Sequence, residues 1–324
     1  MMETITNPTP PAKKVKRENA FTNIAYDLRK NKVLMLILLP TLLFFFIFSY
    51  LPMVGIYYAF TNYNFQGGLF GSPFVGLNNF KYLFTSGTAW TITSNTVLYN
   101  LIFILLGNAM QIATAILLSR VSGRIFTKTT QAIMFLPYFI SYVIIGTFAY
   151  NMLNYETGVV NTFLKGLGAD PYDFYNTPWI WRILVPTFYI WKNLGYGSVI
   201  YLAAIMGISD DYYEAAEIDG ANIFQQIRFI TLPMLKPTFI ILFLLALGSI
   251  MRGQFDLFFQ LIGTNGILFS TTDIIDTFVF RSLRFNVNIG MGTAAGLYQS
   301  VFGLIIVVSA NYAIRRYDED FALF

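Results

Sequence analysis

Lys192, Arg252, Gln254 and Asp256 interrupt stretches of the chain that are otherwise strongly apolar. A charge inside an apolar medium costs about 2.5–3.5 kcal/mol on insertion scales, so each such group needs a partner or a water-filled cavity. Arg252 and Asp256 stand at i, i+4 and could pair on one helix face. Lys192 could pair with Asp256 from another helix. The competing reading is that these groups line a path for a polar solute. Tyr189, Trp191, Asn193, Tyr196 and Phe255 lie nearby and supply the aromatic faces and hydrogen-bonding groups that sugars use, although aromatics at helical spacing also serve as lipid-facing or core packing. A second group is acidic: Asp210, Asp211, Glu214, Glu217 and Asp219 fall within ten residues. Bond-breaking chemistry has little to work with. The chain has no Cys and no His, which excludes thiolate and imidazole nucleophiles, bases and metal ligands. The carboxylates form no convincing acid–base pair. No G-x-x-x-x-G-K-[ST] phosphate loop occurs, so this chain does not split ATP in the P-loop manner.

These side chains must be positioned by membrane-spanning helices. Of 324 residues, 56% are hydrophobic and 12% charged, about half the charged content of a soluble domain. Residues 33–80, 82–119, 129–155 and 285–314 carry no charge at all, and a spanning helix needs about 20 apolar residues. Hydropathy predicts an all-α, polytopic membrane protein with six transmembrane helices at 33–60, 93–118, 130–153, 182–208, 238–262 and 290–314. The first apolar run is too long for a cleaved signal peptide, so it reads as a retained helix. Lys and Arg number seven before the first span, three between the second and third, two between the fourth and fifth, and two after the sixth. Fourteen on that side against four on the other predicts N-in/C-in. The formal charge of +4 reports this topology and not nucleic-acid binding. Residues 1–12 read as a disordered tail. Residues 13–32 read as an amphipathic cytoplasmic segment with Phe21, Ile24, Ala25 and Leu28 on one face, resting on lipid or simply fixing topology. Residues 61–92 form an external loop, 93–314 the core, and 315–324 a cytoplasmic tail.

The loop 209–237 differs from the others. It is cytoplasmic in this topology yet acidic. Asp211 followed by Glu214 predicts a capping box at a helix start, and Gly220 a left-handed helix end. A second stretch places Ile223, Ile227 and Ile230 on one face. From periodicity alone it is a helix–Gly–helix projection, or an ordinary solvated loop. Its letters are more specific. Glu214-Ala215-Ala216, three residues, Gly220, nine residues, Ile230, one residue and Leu232-Pro233 resemble the EAA motif of ABC importer permeases. Phe74-Val75-Gly76-Leu77-Asn78-Asn79-Phe80, Asn95-Thr96, Leu136-Pro137, Ile190-Trp191-Lys192, Tyr201-Leu202-Ala203-Ala204 and Asp276-Thr277 are similar to the sugar-importing branch. Tyr50-Leu51-Pro52-Met53 and Arg315-Arg316 resemble a subgroup that imports oligosaccharides from complex polysaccharides.

The resemblance implies a type I ABC importer permease in a bacterial cytoplasmic membrane. It implies a second homologous permease, two copies of an ATPase that bind ATP and Mg, and an extracytoplasmic solute-binding protein. It implies no cofactor and no catalysis in this chain. The loop would be the coupling helix: Glu214 would contact the ATPase, Ala215 and Ala216 would allow close approach, Gly220 would permit the turn, Leu232-Pro233 would lead into the next span, and Asp211, Asp219 and Ala221 would belong to the same coupling surface. Tyr189, Lys192, Asn193, Tyr196, Arg252, Gln254 and Asp256 would lie along the substrate pathway. At Arg252 the family usually carries small or uncharged residues, which points to acidic cargo such as uronate oligosaccharides from alginate or pectin; a neutral oligosaccharide stays open. An ion-coupled carrier would use the same buried charges, but no inverted repeat is visible and it has no need of an EAA loop. Gly292-x-x-x-Gly296 marks close helix contact, within the chain or with the partner permease.

Overall fold

The computed structural model describes residues 30–317 apart from Ser122. The expected tail 1–12, residues 13–29 of the amphipathic segment and the chain beyond Tyr317 lie outside the described residues. Among the described residues the regular elements are helices, with one isolated bridge between Thr61 and Phe74. The chain divides into two units, Met1–Gly55 and Ile56–Phe324.

The first unit holds most of helix α1, Lys32–Phe60. It is α-helical to Phe45, widens to a π turn over Phe46–Tyr50 and tightens to 3-10 over Leu51–Phe60. The π turn ends one residue before Leu51-Pro52. Proline has no N–H and its ring crowds the carbonyl four residues back, so a widened turn before it relieves both problems.

The second unit contains α2 Asn78–Thr85, α3 Thr88–Arg120, α4 Arg124–Phe139, α5 Tyr142–Leu153, α6 Val159–Gly166, α7 Trp181–Met206 and α8 Asp210–Ile218. These are followed by α9 Ile223–Leu247, α10 Phe255–Ile262, α11 Ile275–Arg284 and α12 Ile289–Tyr317. Helix α7 packs along α3 on one side and α4 on the other; α5 meets α10, and α12 meets α11 and α2. Three apolar clusters hold these contacts. One joins Tyr99, Trp181, Phe258 and Ile274, another Ile92, Met251, Ile275 and Tyr298, and the third Ile116, Tyr201, Ile205 and Leu235.

Among the described residues four helices are long and apolar enough to cross a membrane: α1, α3, α9 and α12. The pair α4–α5 makes a fifth if counted as one span. Helix α7, with 26 residues, has the length, but Lys192, Asn193 and its glycines dilute its apolar character. Two expected helices are not continuous. The span 130–153 is broken at 140–141, and its halves bend by 95°. Ser141 starts the second half by accepting from the Ile144 N–H. The span 238–262 stops at Leu247, and residues 248–254 leave the helix before α10 begins. In α9 a π turn at Ile227–Thr231 precedes Leu232-Pro233, repeating the solution used before Pro52.

Close packing depends on Gly195 of α7, where an added Cβ would overlap the Met134 carbonyl of α4. Gly292 is likewise an intrachain contact, since a Cβ there would strike Leu283 of α11, whereas Gly296 faces open space.

Candidate functional site

Two places concentrate polar side chains. The first is the projection formed by α8 and the start of α9. Ser209 caps α8 by accepting from the Asp211 N–H at 3.3 Å. The expected capping box of Asp211 and Glu214 is therefore absent. The cap sits two residues earlier, and Asp210 and Asp211 occupy the first turn, where their charges suit the positive end of the helix. At the other end the Ala221 N–H donates to the Ala216 carbonyl at 2.8 Å and the Gly220 N–H to that of Glu217 at 3.0 Å. Gly220 has φ +80°, so this is a Schellman ending that favours glycine. Asn222 and Gln225 then form a capping box that starts α9, and the stretch around Ile223, Ile227 and Ile230 continues into that long helix without a further break. Glu214, Ala215, Asp219, Leu232 and Pro233 are exposed, and Ala216 and Ala221 are half-buried. Ile218 and Phe224 are 86% and 78% exposed, an unusual display of apolar surface.

Side chains from three helices hold this projection, and of these Tyr213 and Gln226 had no place in the sequence reading. Arg120, the last residue of α3, donates to Gln226 Oε1 at 3.1 Å and lies over the Tyr213 ring at 4.9 Å. Gln226 is buried and donates to Glu217 Oε1 at 3.4 Å. The Tyr213 hydroxyl and Thr231 Oγ1 are 3.0 Å apart. Among the described residues, α8 is thus tied to α3 and α9 by side chains.

The second place lies among the spanning helices. Lys192 is buried, and its ammonium donates to the carbonyls of Tyr138 at 2.8 Å, Pro137 at 3.3 Å and Ile140. Its Nζ also lies 4.9 Å from the Tyr142 ring centre. It therefore closes the carbonyl end of α4 at the 95° bend, where the helix dipole favours a cation. The expected pairing of Lys192 with Asp256 is not formed, because the ammonium is already engaged by backbone.

The non-helical segment 248–254 is secured from three sides. Asn100 donates to the carbonyls of Ile250 at 2.9 Å and Arg252 at 3.0 Å. Gln299 donates to the Met251 carbonyl at 2.7 Å and to Asp276 Oδ2 at 2.9 Å. The Gly253 N–H donates to the same Asp276 oxygen at 2.6 Å. Unwound backbone within a membrane protein persists only where such partners exist. Burial pushes the Asp276 carboxyl above its ordinary range, opposed by these hydrogen bonds and by the Arg252 charge. Nearby, Asn95 donates to the Asp273 carbonyl at 3.0 Å, Thr96 Oγ1 accepts from the Ile275 N–H at 3.0 Å, and Asp273 pairs with Arg281 at 2.5 Å.

Because Arg252 lies in the non-helical segment, its i, i+4 pairing with Asp256 is lost. Among the described residues the ion pair found is Arg281–Asp273. Arg252 is exposed, beside a cleft of about 320 Å³ between the end of α9 and α12, with Gln299 and Ser300 on its wall. Gln254 is half-buried just before α10, and Asp256 is exposed in its first turn. Tyr189 stacks on Phe103 at 3.9 Å and 16° inside the core, and Asn193 donates to the Tyr189 carbonyl at 2.9 Å. Tyr196 is exposed and stacks on Tyr138 at 4.6 Å and 9°. Phe255 stacks on Phe259. Asn100 and Gln299, which help fix the break at 248–254, were not singled out from the sequence, and Asn95-Thr96 and Asp276-Thr277 were singled out only for their resemblance to the sugar-importing branch. For Asn100 the signal is a run of polar side chains at 95, 96, 99, 100, 108 and 111 along a largely apolar helix.

Residues 107–319 match the family described as "binding-protein-dependent transport system inner membrane component". The chain belongs to this family, and so is a transport subunit of the membrane. It is 31% identical over 309 residues to the polygalacturonan/rhamnogalacturonan transport system permease protein YteP of Bacillus subtilis (strain 168), covering 95% of this chain and 94% of the relative. A chain of a bacterial ABC transporter involved in import of the acidic polysaccharide alginate superposes with a TM-score of 0.81 and 34% identity, covering 91% of this chain and 99% of that one. A chain of the bacterial alginate ABC transporter in complex with an alginate pentasaccharide-bound periplasmic protein gives 0.80 and 34%, covering 90% and 97%. The fold is that of a type I ABC permease.

Proposed function

We propose that this chain is one of two homologous permease subunits of an ATP-driven importer for uronate-containing oligosaccharides in a bacterial cytoplasmic membrane. The observation that carries the reading is the exposed, acidic α8 ending in the Schellman turn at Gly220, tied to α3 and α9 and free to meet a partner. In this reading two ATPase subunits bind ATP and Mg, and α8 transmits their closure to the spanning helices. The chain itself holds no cofactor and performs no hydrolysis. A solute-binding protein delivers the oligosaccharide from outside, in keeping with the periplasmic protein found with the alginate transporter.

Arg252 supports the acidic cargo. A guanidinium beside a cleft can take a carboxylate through two parallel hydrogen bonds. The import of alginate and the transport of polygalacturonan and rhamnogalacturonan named for the similar proteins agree with that charge. Arg252→Met is expected to lower uptake of uronate oligosaccharides about tenfold and leave a neutral oligosaccharide unaffected, in vesicles carrying equal amounts of transporter. Equal loss for both sugars removes the argument for acidic cargo.

Six spans with N-in/C-in topology complete the proposal, with α7 and the α4–α5 pair each counted as crossing. Single cysteines at Ala169 and Phe224, both exposed, test it without background because the chain has no cysteine. Ala169→Cys is expected to react with an impermeant maleimide from outside, and Phe224→Cys only after the membrane is opened. Labelling of Phe224→Cys in sealed cells overturns the orientation.

A further inference from the structure

A half-open cavity of about 640 Å³ lies where α3 ends, α4 begins and α7 runs into α8. Its polar wall is formed by Ser119, Arg120, Thr127, Lys128 and Gln131. Leu202, Ile205 and Met206 near the end of α7 also line it, and Met206 is exposed. Helix α3, long and apolar enough to cross a membrane, ends here beside the polar start of α4, so in a spanning chain the cavity sits where the apolar core gives way to headgroups. Asp210 and Tyr213 also line it, but among the described residues neither Arg120 nor Lys128 forms an ion pair. Two cations, hydroxyls and an amide beside an apolar wall match a phosphodiester carrying acyl chains, and basic pockets between spanning helices bind anionic headgroups.

We propose that this cavity is a binding site for an anionic phospholipid, with Lys128 and Arg120 on the phosphate and the acyl chains along Leu202 and Met206. Arg120 also donates to Gln226, so a bound headgroup would steady the residue that ties α3 to the α8 projection. That consequence rests on the coupling role proposed above, whereas the binding itself rests only on the chain spanning the membrane.

The test therefore reads binding, without transport. The full chain, purified in mild detergent, is given equimolar phosphatidylglycerol and phosphatidylcholine, and retained lipid is measured by native mass spectrometry. Phosphatidylglycerol is expected to be retained preferentially. Lys128→Ala should lower that retention about fivefold, and Lys128→Arg should restore it. Lys128 makes no hydrogen bond or ion pair among the described residues, so its replacement leaves the fold undisturbed. Equal retention of the two lipids, or unchanged retention in Lys128→Ala, overturns the proposal. Displacement by equimolar inorganic phosphate would define a simple anion site and overturn the lipid assignment. Labelling of Lys128→Cys that is blocked by the ATPase subunits and not by phosphatidylglycerol would assign the cavity to a protein interface and overturn the lipid assignment as well.

Discussion

Gly220→Val is expected to reduce ATP-driven uptake more than tenfold while leaving the amount of protein in the membrane unchanged. No atom lies within 4 Å of a Cβ built at Gly220, so the substitution meets no clash. Its cost is conformational. A φ of +80° is disfavoured for any residue with a Cβ and most for a β-branched one. Relief requires the backbone to leave that region, which breaks the bonds from Ala221 to Ala216 and from Gly220 to Glu217 and redirects α8. Asn tolerates this region better than other non-glycine residues, so Gly220→Asn should retain more uptake than Gly220→Val. Glu214→Lys, which reverses an exposed charge without touching the turn, should uncouple in the same assay. The measurement is oligosaccharide uptake and ATP hydrolysis in proteoliposomes containing the complete transporter. Transport by Gly220→Val at the wild-type rate would mean that the shape of this turn does not matter for coupling.

Lys192→Met is expected to be the most damaging single change to stability. Its ammonium satisfies three carbonyls at the end of α4, and methionine keeps much of the volume while removing every donor. Buried polar groups left without partners cost about 1–3 kcal/mol each. Partial rescue by water and small backbone shifts brings the expected total to about 3 kcal/mol. In a thermal melt of the detergent-solubilised chain this corresponds to a fall in Tm of roughly 5–10 °C. Lys192→Arg keeps a cation at the helix end and should lose less. A Lys192→Met melt that overlays the wild type would show that the bend holds without the ammonium.

Lys192 also marks how far the sequence could be read. A charge in an apolar stretch demanded a partner, and that demand was legible. The partner was not, because hydropathy treats 130–153 as one helix and gives no sign that its carbonyls come free near residue 140. Proline at 137 sits within a helix here, so it does not announce the break by itself. The same difficulty separated Arg252 from Asp256: an i, i+4 pair exists only if the helix continues, and residues 248–254 leave it. The acidic projection was more readable, because caps and turns are local. Gly220 ends α8 as its neighbours predict, although Ser209 and not Asp211 begins it. Arg120 and Gln226 could not be paired from sequence, since 106 residues separate them. Helix class and apolar spans follow from short-range pattern, whereas breaks that depend on Asn100, Asp276 and Gln299 are decided by distant side chains.

The double attachment of α8 has a mechanical meaning. A projection hung from its two chain ends would swing like a rope and absorb a partner's movement. This one is bolted through Arg120–Gln226–Glu217 to α3 and through Tyr213–Thr231 to α9, while a capped corner on each side of Gly220 resists bending. A load applied to the exposed face is therefore shared by two long helices as a bracket shares it between two beams. Some 20 residues before Arg120, helix α3 carries Asn100, which grips the non-helical backbone at Ile250 and Arg252, while Asn95 and Thr96 hold Asp273 and Ile275 at the start of α11. A thrust along α3, transmitted at about 1.5 Å per residue over some 30 Å, would arrive at the segment beside Arg252.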